Sequence, residues 1–276
     1  MKLVLHLKGD ILTKGFMRNL RAALRLFFFT VFISLYLALA ALGMILFHFF
    51  RRQRHFFLAK NVSWFCWLGT KIFNIKIHVD NYDHVDLTED YLLVGNHLSY
   101  VDIIALSSIK PTLFVTSREM QKTPGLGTLC EMAGCVFVDR RSKQNLRKEI
   151  QEIIDALNEN SSVTFFPEAT STNGEALLKF RLPLFEAAVV AKKPVLPFCI
   201  NYLSLDGKPI TKLNRDEVFW YGDMTFGGHF WNFLKNSETT LMISFFHPID
   251  PYKINREDLC QKSFAAISSC YRPVVN

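Results

Sequence analysis

The chain is short of several things that would have named it quickly. Its six cysteines, Cys66, Cys130, Cys135, Cys199, Cys260 and Cys270, form no Cys-x-x-Cys pair, and most lie in apolar runs. That pattern reads as free thiols in a reducing compartment and gives no disulfide framework or metal site. No Gly-x-Ser-x-Gly segment occurs, so a hydrolase with a serine nucleophile lacks its elbow. There is no internal repeat and no low-complexity linker. Acid is scarce beside base: 25 Asp and Glu against 32 Lys and Arg leave a formal charge of +7.

A basic balance suits nucleic acid, anionic lipid or phosphorylated small molecules. Half of the residues are hydrophobic and 26 are Phe, which favours the last two. Much of the charge also flanks an apolar segment, so no nucleic-acid partner is expected.

Charge is wholly absent between Leu26 and Phe50, where His48 is the one ionisable group. At roughly 1.5 Å of rise per residue such a run can cross a bilayer with some tilt. It is too long for a cleavable signal peptide, and no small-x-small site precedes a polar mature start. Lys2, Lys8, Lys14, Arg18, Arg21 and Arg25 precede it, and Arg51, Arg52, Arg54 and Lys60 follow it. Positive charge on both sides blunts the positive-inside rule. Two arrangements stay open: a true span, or a segment that enters part-way, bends near Gly43 and returns. Trp64 and Trp67 in the aromatic stretch 56–70 suit the headgroup level. Residues 1–70 are therefore expected to anchor the chain to a membrane, and 71–276 to form the catalytic domain.

From Lys71 onward, short β-branched and aromatic runs alternate with helical patterns. Strands are expected at Phe73–Val79, Tyr91–Gly95, Thr112–Thr116, Cys135–Val138, Ser162–Phe166, Val195–Asn201 and Thr240–Phe246. Helices are expected at Lys143–Glu159, Pro183–Lys192 and Arg256–Tyr271. The alternation predicts an α/β fold, a mostly parallel sheet covered by helices on both faces, behind an N-terminal membrane-embedded helical segment.

The chemistry gathers where strands end. Tyr91–Asp102 reads YLLVGNHLSYVD: an apolar run, a polar turn, then a helix start. His97 can take a proton from a hydroxyl, and Asp102, five residues on, can fold back and orient the ring. Taken alone, the pair also fits a helix cap beside a surface carboxylate. Three companion segments change the weighing. Gly134–Arg141 is a strand ending in Asp139-Arg140-Arg141. Ser162–Glu168 ends in Pro-Glu before the small polar run Ala169–Gly174. Val195–Ile200 is a strand interrupted by Pro197.

In that order, these segments resemble the four blocks of the glycerolipid acyltransferase family, of the lysophosphatidic acid acyltransferase type. N-H-x-x-x-x-D is matched in full, G-x-x-F-[IV]-x-R through Phe137 and Arg140, F-P-E-G-T-R by Phe166–Ser171 and V-[IVL]-P-x-x-I by Val195–Ile200. Arg118-Glu119 with Pro124 and Gly127 resembles the segment between the first two blocks, and the likeness covers about residues 75–205. It implies an O-acyltransferase of phospholipid synthesis or remodelling, with His97 as general base and Asp102 as its partner. Asn96, Arg140, Glu168, Thr170, Ser171, Lys179 and Arg181 are the expected substrate-binding residues, Arg140 toward a phosphate and Glu168 toward the glycerol portion. The co-substrate would be acyl-CoA or acyl-carrier protein, with no metal and no further cofactor. Membrane lipid would be the partner, with the catalytic domain on the cytoplasmic face, the inner membrane in a bacterium. Backbone N–H groups at the start of the Val101 helix are expected to hold the oxyanion.

The third block departs from the pattern: Ala169 stands for glycine and Ser171 for arginine. The acceptor is thus expected to be a lysophospholipid or related lipid and not a terminal phosphomonoester, unless Lys179 or Arg181 supplies the missing cation. Lysophosphatidic acid, glycerol-3-phosphate, an ornithine-type lipid and a lipid A precursor stay open as acceptors. So does a catalytically silent lipid-binding protein on the same fold.

Overall fold

The computed structural model describes residues 2–81, 85–139 and 143–276, with side chains from Gly15 on apart from those of 143 and 144. Two helices come first, α1 at Lys2–Leu46 and α2 at Arg51–Phe73. Within α1, Gly15–Leu46 is long and apolar enough to cross a membrane by length and composition. The helix does not continue to Phe50: a turn follows Leu46, and α2 runs back along α1. Antiparallel ring pairs mark the seam, Phe47 with Phe57, Tyr36 with Phe65 and Phe29 with Phe73. The bend thus lies after Leu46 and not at Gly43, which stays helical. A Cβ at Gly43 would stand 2.2 Å from the Phe57 ring, so the bare Cα is what lets the helices close. The expected boundary at 70/71 falls inside α2, which packs its C-terminal half on the sheet domain.

Both ends of the hairpin are tied to that domain. Arg18 pairs with Glu217 at 3.1 Å. Arg21 donates to the Lys235 carbonyl at 2.9 Å, and Arg25 to the carbonyls of Leu234, Asn236 and Ser237. Leu234 is the last residue of α8 (Phe226–Leu234), where a helix end leaves carbonyls without intrahelical partners, and the other three residues follow it. At the other end Arg51 meets Asp155 at 3.1 Å on α6, Lys143–Asn158.

The strands are β1 (Ile75–Asp80), β2 (Leu92–Gly95), β3 (Leu113–Ser117), β4 (Val136–Val138), β5 (Val163–Phe165), β6 (Val195–Leu205), β7 (Lys208–Pro209) and β8 (Thr239–Phe245). Their order is β1-β8-β6-β2-β5-β3-β4, with β7 paired to β6. All pairs along that path are parallel except β6 with β8. Every residue of β2 is buried, as a central parallel strand requires. One face packs on α3 (Tyr100–Ile109), α8 and the hairpin through Leu93, Phe198, Ile200 and Phe245. The other packs on α6, α7 (Glu186–Ala191) and α9 (Arg256–Cys270) through Leu92, Val94, Cys199 and Val195. The mostly parallel sheet covered on both faces is therefore as expected. Missed from sequence were α8, the short α4 (Arg118–Gln121) and α5 (Leu126–Met132), and β7.

Candidate active site

Strands β2, β3, β4, β5 and β6 run parallel to one another, so the segments that follow β2 and β5 leave the sheet at one edge. Ligands of α/β sheets collect at that carboxyl edge. Two motif segments far apart in sequence meet there for this reason alone. Gly95 ends β2 under the Phe198 ring, where a Cβ would stand 2.2 Å from it.

The turn after Gly95 is organised by one carboxylate. Asp102 is fully buried and its Oδ2 accepts from Leu98 N–H at 2.7 Å, Ser99 N–H at 2.9 Å and His97 Nδ1 at 2.9 Å. With Asp102 as the acceptor, Nδ1 carries the proton and Nε2 is the basic nitrogen. Ser99 and Asp102 also form the capping box of α3. The helix cap and the imidazole orienter are thus one residue, and Asp102 is no surface carboxylate. Its second oxygen, Oδ1, accepts from the Tyr202 hydroxyl at 2.6 Å.

The His97 ring is held from its face as well. Phe166, after β5, stacks on it at 4.1 Å with 7° between the planes. Glu168, two residues later, accepts from the His97 N–H at 2.9 Å and from the Leu178 N–H at 2.9 Å. Burial pushes Glu168 up to about 7, although both N–H bonds favour its anion. Between them Ala169 adopts φ of 61°, the left-handed conformation that a glycine takes without strain.

His97 opens onto a cavity of about 540 Å³, within the usual ligand range of roughly 300–1,000 Å³. Its walls are apolar: Phe29, Phe32 and Tyr36 of α1, Phe65 of α2, Ile104 of α3 and Leu129 of α5. Thr170 and Arg181 line it on the polar side, near Pro167 and Ala169.

The expected site residues divide accordingly. His97, Thr170 and Arg181 line the cavity, and Asp102 and Glu168 stand behind His97. Asn96 is turned away and clamps β2 to β6, with Nδ2 donating to the Ile200 carbonyl at 3.0 Å and Oδ1 accepting from its N–H at 2.8 Å. A fully buried amide with both ends engaged is part of the frame. Ser171 donates to the Trp220 carbonyl at 2.5 Å and pins a neighbouring loop. Lys179 is exposed on the flank near Cys260, outside the cavity wall. Arg140 lies outside the described residues. The expected oxyanion donors lie at the start of α3, Tyr100–Ile109. The N–H groups of Leu98, Ser99, Val101 and Asp102 are all engaged within the turn, by Asp102 and Ser99. Sequence reasoning missed Tyr202. Period-two alternation along β6 puts it on one face with Phe198 and Ile200, but only the neighbouring elements say what that face meets.

The acyltransferase family model matches residues 76–201. A 1-acyl-sn-glycerol-3-phosphate acyltransferase of Neisseria gonorrhoeae is 29% identical over 154 residues, 56% of this chain and 58% of that protein. Lyso-ornithine lipid O-acyltransferases of Rhizobium meliloti and Pseudomonas aeruginosa are 28% and 30% identical, over 64% of this chain in each case and 63% and 66% of theirs. The chain thus spans less than two thirds of each of these relatives. The crystal structure of the 1-acyl-sn-glycerophosphate acyltransferase from Thermotoga maritima has the same fold. Its TM-score is 0.62 at 19% identity, over 91% of this chain and 95% of that one. With the blocks, the fold and the family model in agreement, residues 76–201 match the acyltransferase family, and the chain is similar to glycerolipid acyltransferases of the lysophosphatidic acid acyltransferase type.

Proposed function

We propose that this protein moves a fatty acyl group from an acyl thioester, carried on coenzyme A or an acyl-carrier protein, to a hydroxyl of a lysophospholipid or related lipid. His97 is the general base and Asp102 its partner. The observation that carries the reading is the position of His97, its Nδ1 fixed on Asp102, at the wall of an apolar cavity. The acceptor hydroxyl gives its proton to Nε2 while its oxygen attacks the thioester carbonyl. The tetrahedral intermediate then expels the thiolate, which takes the proton back from the imidazolium. Asp102 holds the ring and stabilises the imidazolium between the two steps. The route asks for no enzyme nucleophile and no metal. The apolar arm of the cavity suits an acyl chain, and Thr170 and Arg181 suit a polar head.

The hairpin is read as seated in one leaflet, against the catalytic domain. Two observations support this. Arg18, Arg21 and Arg25 near one end of the apolar stretch and Arg51 beyond the other all bond to the same domain. A helix crossing a bilayer would part those ends. The tip is also strongly apolar, with Phe49 89% exposed beside Ile45, Leu46 and Phe50. Free thiols suit a cytoplasmic setting for the domain.

For the acceptor, two of the relatives act by name on lyso-ornithine lipids and one on 1-acyl-sn-glycerol-3-phosphate. Ser171 offers no guanidinium, which favours a head without a terminal phosphomonoester. The test is lipid mass spectrometry of the vesicle-reconstituted protein. It is given acyl-CoA or acyl-carrier protein and a panel of lysophospholipid, lysophosphatidic acid, glycerol-3-phosphate and lyso-ornithine-type acceptors. Wild type is expected to acylate a lyso-lipid and His97→Ala to lose that activity. Full activity in His97→Ala would falsify the mechanism.

A further inference from the structure

The two oxygens of Asp102 are served from different places. Oδ2 takes its donors from its own turn, His97, Leu98 and Ser99. Oδ1 takes the Tyr202 hydroxyl at 2.6 Å, from 100 residues away on β6. Asp102 is wholly buried and Tyr202 nearly so, so this bond is shielded from water. The register of β6 against β8 shifts between Tyr202 and Ser204, an irregularity of the kind that re-aims a side chain. Asn201, next along the strand, faces the other way and holds the Cys270 carbonyl and the Arg272 N–H. Packing accounts for the Tyr202 ring, which meets Phe219 edge-on at 5.0 Å, but not for where its hydroxyl points.

We infer that Tyr202 is a positioning residue for the His97–Asp102 pair. Its hydroxyl holds the carboxylate where it meets His97 Nδ1 and draws charge off it, so that the carboxylate orients the ring without over-holding the imidazolium that the reaction forms. The inference rests on His97 acting as the general base. Without the hydroxyl, Oδ1 loses the donor that β6 supplies. The carboxylate is then better compensated by an imidazolium partner than by a neutral one.

The experiment is the pH profile of kcat/KM for wild type, Tyr202→Phe and a protein carrying 3-fluorotyrosine at 202, an isosteric residue with a more acidic hydroxyl. Tyr202→Phe is expected to move the acid limb up by about one pH unit, about tenfold lower activity on that side, with the alkaline plateau and KM close to wild type. The fluorotyrosine protein is expected to move the limb the other way. Equal loss at every pH, or an unmoved limb in both proteins, overturns the inference and leaves Tyr202 a packing residue. His97→Ala run alongside separates the two layers. If it is active, the base assignment falls and this inference with it; if it is dead while the limb stays put, only the role of Tyr202 falls.

Discussion

The backbone N–H of His97 donates to Oε1 of Glu168 at 2.9 Å. The turn after β2 is thereby fastened to the turn after β5, and the same carboxylate reaches on to Leu178. One buried side chain thus joins three segments around the cavity, at the expense of its own ionisation.

That expense has a measurable sign. Burial raises Glu168 from 4.5 to about 7, so the folded chain keeps a proton that the unfolded chain has lost over this interval. Its unfavourable contribution is absent below pH 4.5 and grows as pH rises toward 7, to an amount of order 3 kcal/mol. Glu168→Gln cannot titrate. The midpoint of thermal unfolding in detergent, variant minus wild type, is expected to climb steadily across that range. A flat difference refutes the assignment.

Ala169 sits at φ of 61°. A left-handed alanine costs roughly 1–2 kcal/mol, and glycine at the same place gives back up to about 1 kcal/mol through the unfolded chain. Ala169→Gly is expected to stabilise by about 0.5 kcal/mol, whereas Ala169→Val, branched at Cβ, should lose more than about 1 kcal/mol. Unfolding midpoints of the three proteins decide it; a more stable valine variant would contradict the backbone assignment.

Arg181 lines the cavity and Lys179 does not. Arg181→Gln is expected to raise KM for a phosphate-bearing acceptor about tenfold or more, a loss of about 1.5–3 kcal/mol for a charged hydrogen bond, while Lys179→Gln stays within about twofold. Steady-state kinetics on one acceptor suffice. The reverse ranking would move the head-binding side of the site to the exposed flank near Cys260.

At Gly43 the Phe57 ring occupies the space of a side chain. Gly43→Val is expected to destabilise by about 1–3 kcal/mol and to loosen the hairpin, and Phe57→Ala added to it should recover part of that loss. Protease resistance of the residue 47–50 turn in detergent reports the outcome. Strictly additive losses in the double variant would mean that the two residues do not meet.

Much of the fold was legible because its signals are local. The seven expected strands all formed, within three residues at their ends except β6, which runs four residues further to Leu205. Pro183 opened a 3-10 turn before α7, and Lys192 capped that helix at φ of 53°. Less legible were α8, whose two glycines weaken a helical reading, and the end of α1. The apolar run continues past Leu46 while the backbone turns, because composition alone carries no break there. Asn96 and Ser171 show the limit at the site. Both belong to matched blocks, yet their polar ends bond to Ile200 and Trp220 in segments that no local pattern connects to them.

His97 and Asp102 stand five residues apart, within one turn, so their spacing in the chain already determined that they could meet. Strand periods and the uncharged N-terminal run were determined in the same way, by short-range geometry and the aversion of apolar side chains to water. Glu168 reaches His97 across 71 residues and Tyr202 reaches Asp102 across 100. Only the parallel order of β5, β2 and β6 decided those contacts. Hydrogen bonds between central strands bring distant turns to one edge, and burial there makes each carboxylate depend on donors that the sequence leaves far away.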